Sequence, residues 1–154
     1  MLLFSLGFFF YCSTVWSNTS ERNTRKLQLI QNFACRIILG LKKFDHFSKE
    51  LKSLGWLDVR DKLFLNDVVV VHNVLNNISP PSLPTLFNSR FSVSKRPTRY
   101  DSDLDQPKCR LATGQQSFAF RSSKVFNTLP KDIKAMKNPK AFRCKVSAHL
   151  STKD

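Results

Sequence analysis

Residues 20–40 read SERNTRKLQLIQNFACRIILG and residues 58–76 read DVRDKLFLNDVVVVHNVLN. In the first stretch Leu27, Ile30, Ala34, Ile37, Ile38 and Leu41 recur at steps of three and four, which predicts a helix with one apolar stripe. Ser20 suits its N-cap, or Asn23 if the helix starts later, and Gly40 suits a left-handed stop. Arg22, Arg25, Lys26 and Arg36 lie off the stripe. In the second stretch Asp58 is a fitting N-cap, with Asp61 able to reach back as in a capping box. Leu63, Phe64, Val68, Val71, His72 and Leu75 then share a broad face. The run Val68–Val71 is β-branched and would suit a strand on its own. The cap at one end, and Asn76, Asn77, Pro80 and Pro81 at the other, favour a helix instead. Between the two stretches, residues 47–54 predict a short helix closing at Gly55, followed by Trp56 as a buried anchor. The fold class expected is mainly α: a small helical bundle (helices about 20–40, 47–54 and 58–76) with a loop-rich basic tail carrying one or two short helices.

Working outward, Pro80, Pro81 and Pro84 make a stiff connector. Residues 88–113 hold no helical period and read as a loop or arm, with a short extended piece at Cys109–Thr113. A helix over 117–128 carries Phe118, Val125 and Phe126 and stops at Pro130. One further turn covers 132–136. Asn138 and Pro139 supply a cap and a first-turn proline for a last helix, 139–150, with Ala141, Phe142, Val146 and Leu150 on its apolar edge. The expected organisation is an apolar N-terminal segment 1–17, a helical unit 18–87, a linker 88–113 and a basic helical tail 114–154. His72, on an apolar face, is expected to be a hydrogen-bonded core histidine.

The 154 residues carry a net charge of +14. From Lys108 to Lys145 there are ten Lys or Arg and one acid, Asp132, and Arg90, Lys95, Arg96 and Arg99 lie upstream. An excess of this kind calls for a polyanion: nucleic acid first, an anionic membrane surface second. Charge clustering alone selects Arg90, Lys95, Arg96, Arg99, Lys108, Arg110, Arg121 and Lys124 as the candidate nucleic-acid contacts. The competing reading is a solvated basic face with no specific partner.

Cys12, Cys35, Cys109 and Cys144 form no Cys-x-x-Cys pair and have no histidine at ligand spacing, so a closed zinc site is not supported. Their sparseness argues equally against a disulfide scaffold. Asp101, Asp103 and Asp105 open like a calcium loop, but Gln106 and Ala112 stand where the loop needs Gly and Glu. No glycine-rich phosphate loop and no hydrolase or metalloprotease motif is present. No cofactor and no small-molecule substrate are expected.

Residues 1–16 are almost wholly apolar. The run is short for a membrane span, and it lacks the leading cation and the small-residue cleavage site of a signal peptide. It reads either as a truncated core segment or as a signal or anchor. The first places the chain in the nucleus or cytoplasm, the second in a secreted or membrane-anchored setting.

One family places these blocks in the same order. Leu27, Ile30, Gln31, Asn32, Ala34, Arg36 and Gly40 lead to His46, Ser48, Lys49 and Leu51, and then to Leu54, Gly55, Trp56, Leu57, Val59, Arg60 and Asp61. Upstream stand Tyr11, Cys12, Ser13, Val15 and Trp16. Downstream follow Val71, His72, Asn73, Leu75 and Asn76, then Pro80, Pro81, Leu83, Leu86 and Phe87. Thr98 and Arg99 come next, followed by Gly114, Ser117 and Phe118. Phe126, Asn127, Leu129, Pro130, Ile133 and Lys134 close the series. This order resembles the region after the catalytic palm in reverse transcriptases of LINE-type, non-LTR retrotransposons of the jockey-like group. Phe126 departs from the family, which usually has Trp there. The resemblance implies a helical thumb and a basic tail that hold a template–primer duplex by its backbone. The paired aspartates that bind the palm's two metal ions have no counterpart, since no Asp-Asp pair occurs. The chain is therefore expected to bind RNA, DNA or a hybrid without catalysis. Two alternatives stand beside this: a non-functional relic of a decayed element, and a small secreted or membrane-anchored basic protein.

Overall fold

A computed structural model describes residues 10–42, 54–95 and 103–152. The fold is mainly α, and the described residues contain a single isolated β-bridge and no strand. The helices are α1 (Ser13–Trp16), α2 (Glu21–Leu39), α3 (Val59–Leu75), α4 (Arg90–Ser94), α5 (Ala112–Gln115), α6 (Phe118–Asn127), α7 (Lys131–Lys134) and α8 (Pro139–Ser151), with a 3-10 turn at Pro84–Leu86. The helix expected at 47–54 lies outside the described residues.

The chain forms two compact units: Met1–Leu63 with Ser147–Asp154, and Phe64–Val146. Here α3 gives its first residues to one unit and the rest to the other, as α8 does in reverse.

In the first unit α2 starts after Ser20, which occupies the N-cap position in an extended conformation but makes no side-chain cap bond. Gly40 ends the helix with φ 65°, and Leu41 N–H donates to the Arg36 carbonyl at 3.0 Å. Both ends match the sequence reading.

The buried face of α2 does not. Thr24, Gln31, Asn32 and Cys35 are turned inward, while Leu29, Ile30, Phe33, Ile37 and Ile38 are exposed. The apolar stripe of the sequence reading faces largely outward. The cause is what lies opposite. Gln31 Nε2 donates to the Leu57 carbonyl at 2.9 Å, and Val59 N–H donates to Gln28 Oε1 at 2.8 Å. Gln28 Nε2 in turn donates to Asn32 Oδ1 at 2.9 Å. Residues 57–59 present non-helical backbone and the first N–H of α3, groups that must be paired when buried. Amide side chains can pair them and aliphatic ones cannot. Trp56, expected in the core, is only half-buried.

In the second unit Leu65, Val68, Val71 and Val74 of α3 are buried with Phe87, Leu104, Phe126, Leu129, Ile133, Phe142 and Val146. The valine run is helical, as its flanks indicated. It stops at Asn77, whose φ is 57°, with Ile78 N–H donating to the Asn73 carbonyl at 2.8 Å. Leu75, expected on the buried face, is exposed.

His72 is a core residue. Its ring stacks on Phe142 at a centroid distance of 4.0 Å, and Nε2 lies 2.6 Å from the Met136 carbonyl. That carbonyl can only accept, so Nε2 carries the proton. Asn76 Nδ2, 3.2 Å from the same nitrogen, therefore donates instead to the His72 carbonyl at 2.8 Å. Nδ1 is left buried and without a partner.

In the segment expected to be a loop or arm, the described residues 88–95 and 103–113 carry regular hydrogen bonding. Ser89 and Leu104 form the antiparallel bridge, with Arg90 N–H donating to the Asp103 carbonyl and Asp105 N–H to the Asn88 carbonyl. Ser89 Oγ accepts from Ser92 N–H at 3.1 Å and so caps α4. Of the extended piece expected at Cys109–Thr113, Leu111 is extended, whereas Ala112 and Thr113 belong to the helical turn α5. Leu104, 2 % exposed, explains the difference: one well-buried side chain anchors a polar loop that has no period of its own.

Candidate nucleic-acid interface

The basic residues divide into those that hold the second unit together and those that face solvent. Arg121, on α6, belongs to the first group. Its Nε donates to Asp67 Oδ2 at 3.0 Å, with the Asp67 side chain 4 % exposed and that of Arg121 19 %. Its guanidinium also donates to the Gln116 carbonyl at 3.3 Å. A carboxylate this buried must be paired, so Arg121 serves as its structural cation.

Lys134, on α7, has the same role. Its Nζ donates to Asp103 Oδ1 at 2.8 Å and to the Asn127 carbonyl at 3.0 Å, and it lies 5.8 Å from the centre of the Phe126 ring. Asp103, the middle carboxylate of the calcium-like series, is thereby committed to a lysine.

Asn127 completes this knot. Its Oδ1 accepts from Leu104 N–H at 2.9 Å while its Nδ2 donates to the Leu104 carbonyl at 2.9 Å. One side chain thus stands in for a neighbouring strand. Phe126, Leu129 and Ile133 are buried beside it.

The remaining candidates among the described residues are exposed. Lys124 lies on the outer side of α6, and Lys108 and Arg110 on the run before α5. Lys95 closes α4 in a left-handed conformation, φ 53°, its N–H donating to the Phe91 carbonyl at 2.9 Å. Arg90 is exposed at the start of α4. Arg96 and Arg99 lie outside the described residues.

Charge clustering passed over five further exposed cations: Lys131, Lys137, Lys140, Arg143 and Lys145. Lys140 and Arg143 are three apart on α8 and so neighbours on its surface. Asn138 fixes the start of that helix, its Oδ1 accepting from Lys140 N–H at 3.0 Å and Ala141 N–H at 3.3 Å. The signal was present in the run Lys108–Lys145. Separating buried from exposed members of that run required the ion pairs.

The first unit holds a cavity of about 370 Å³ lined by Glu21, Thr24, Arg25, Gln28, Asp58 and Arg60. Arg25 donates to Glu21 at 3.1 Å, and Arg60 pairs with the same carboxylate oxygen. Hydrogen bonds from Arg25 and then Arg60 hold the Glu21 carboxyl below its ordinary value. Two acids and two arginines compensate one another, so this cavity exerts no net pull on an anion.

Among the described residues no three His, Cys, Asp or Glu side chains converge as a metal site, and no helix is long and apolar enough to cross a membrane. None of the four cysteines is joined to another in a disulfide. Comparison with models of known families, with curated proteins and with solved structures finds no match to this chain.

Proposed function

We propose that this chain is the thumb and tail of a non-LTR retrotransposon reverse transcriptase, without the catalytic palm, and that its second unit holds the sugar–phosphate backbone of a template–primer duplex. The supporting observation is the fate of the charges between Lys108 and Lys145. Arg121 and Lys134 are consumed by Asp67 and Asp103. The other eight, Lys108, Arg110, Lys124, Lys131, Lys137, Lys140, Arg143 and Lys145, are exposed. Exposed cations in this excess attract phosphate through counterion release and read little sequence. In this reading the chain binds without catalysis, uses no cofactor and works in the nucleus or the cytoplasm.

The test is binding of the full chain to an RNA–DNA duplex across a salt series. The expected result is micromolar or tighter binding at low salt that weakens log-linearly as salt rises. A folded, helical sample that fails to bind at low salt overturns the proposal.

A further inference from the structure

The outward face of α2 is a feature of the first unit that nucleic-acid binding leaves unused. Leu29 is 67 % exposed and Phe33 63 %, with Ile30, Ile37 and Ile38 also open to solvent. At the pitch of an α-helix, Arg22, Lys26, Leu29, Phe33 and Ile37 follow one another at steps of four, three, four and four, and so form one row. That row begins with two exposed cations and continues as an apolar ridge. The neighbouring acid, Glu21, is held by Arg25 and Arg60, so nothing on the row balances Arg22 and Lys26. The inward face is fixed by the amide bonds of Gln28 and Gln31, so α2 cannot roll to hide its ridge without breaking them.

We propose that α2 is an interfacial helix that lays Leu29, Phe33 and Ile37 into the surface of an anionic lipid bilayer, with Arg22 and Lys26 at the headgroups. The occupant is argued from charge and shape. An apolar face bordered by uncompensated Lys and Arg matches the chemistry of an anionic bilayer surface. A second copy docked in parallel would set like charges against each other. The helix lies on the bilayer and does not span it, in keeping with its limited apolar length. This inference is independent of nucleic-acid binding, which uses other residues.

The experiment is co-flotation of the full chain with phosphatidylcholine vesicles made with and without phosphatidylserine. The wild type should float with the anionic vesicles. Leu29→Ser with Phe33→Ser should lower the bound fraction by about tenfold or more. Arg22→Gln with Lys26→Gln should lower it on the order of tenfold, and only where phosphatidylserine is present. These side chains are exposed, so circular dichroism should show unchanged helix content. As a second readout, the indole added by Phe33→Trp should contribute a blue-shifted emission with anionic vesicles. Full binding by the double serine variant would mean that the basic second unit alone adheres to the vesicles, and would overturn the proposal. So would concentration-dependent dimerisation that is lost on Phe33→Ser with no vesicle binding. An unshifted added emission from the floated Phe33→Trp variant would overturn it as well.

Discussion

Arg121 Nε and Asp67 Oδ2 meet at 3.0 Å across 54 positions of sequence, and the carboxylate is the more buried of the two. The asymmetry sets the cost of breaking the pair. Arg121→Ala takes the guanidinium from a carboxylate held away from water and should destabilise the protein by about 2–4 kcal/mol. Asp67→Ala leaves a guanidinium that can still turn to solvent, and should cost about half as much. Urea unfolding of the two variants measures the difference. Equal losses would show that the two groups are equally able to reach water.

Exposed cations should behave in the opposite way. Lys124→Ala and Lys140→Ala should each leave the unfolding free energy within about 0.5 kcal/mol of wild type. Each should reduce the slope of log affinity against log salt by about one. Titrations with an RNA–DNA duplex provide the readout. A slope unchanged in both variants would remove α6 and α8 from the interface.

Asn127 should be among the most sensitive polar residues of the second unit. Asn127→Ala deprives both the N–H and the carbonyl of Leu104 of their partner, at about 1–3 kcal/mol for each buried group left unpaired. Asn127→Asp keeps the acceptor but faces the Leu104 carbonyl with a second oxygen, so it should not rescue stability. Denaturation midpoints of the two variants test this directly.

The amide face of α2 yields a prediction against intuition. Gln28→Leu and Gln31→Leu increase hydrophobicity at inward positions, yet each should destabilise by about 1–3 kcal/mol because a backbone partner at Val59 or Leu57 is lost. Thermal melts suffice. A gain in stability would mean that residues 57–59 can pair with water instead.

Glu21 supplies a pH dependence of definite sign. Its folded-state pKa is lowered by Arg25 and Arg60 from an ordinary value of 4.5, so the stability it contributes is fully present above that value. That contribution fades as pH falls through the lower folded-state value. The midpoint difference between wild type and Glu21→Gln should therefore shrink on acidification below about pH 4.5 and stay constant above it. A difference that persists into strong acid would show that the carboxylate charge is not its source.

How much of this was legible in the sequence differs by element. Caps and stops are local chemistry, and Gly40, the Asn76–Asn77 stop and the Asn138–Pro139 start could be placed from the residues alone. The helical state of Val68–Val71 followed from its flanks. The orientation of α2 could not be read, because periodicity reports that a helix has two faces and not which one meets the core. That choice was made by the unpaired backbone of residues 57–59. The candidate interface was legible as an excess of charge and illegible as a set of residues. Arg121 and Lys124 are three apart on one helix and look alike in sequence, yet Asp67, 54 positions before Arg121, makes one of them structural.

The Asn127 clamp also bears on the order in which the second unit assembles. The amide can grip the backbone of Leu104 only after α6 has wound and turned that side chain toward it. The 103–105 segment should therefore dock late, after the folding barrier is crossed. Loss of the clamp should then speed unfolding far more than it slows folding, and native-state hydrogen exchange at the Leu104 amide should report the opening of this latch ahead of the helical core.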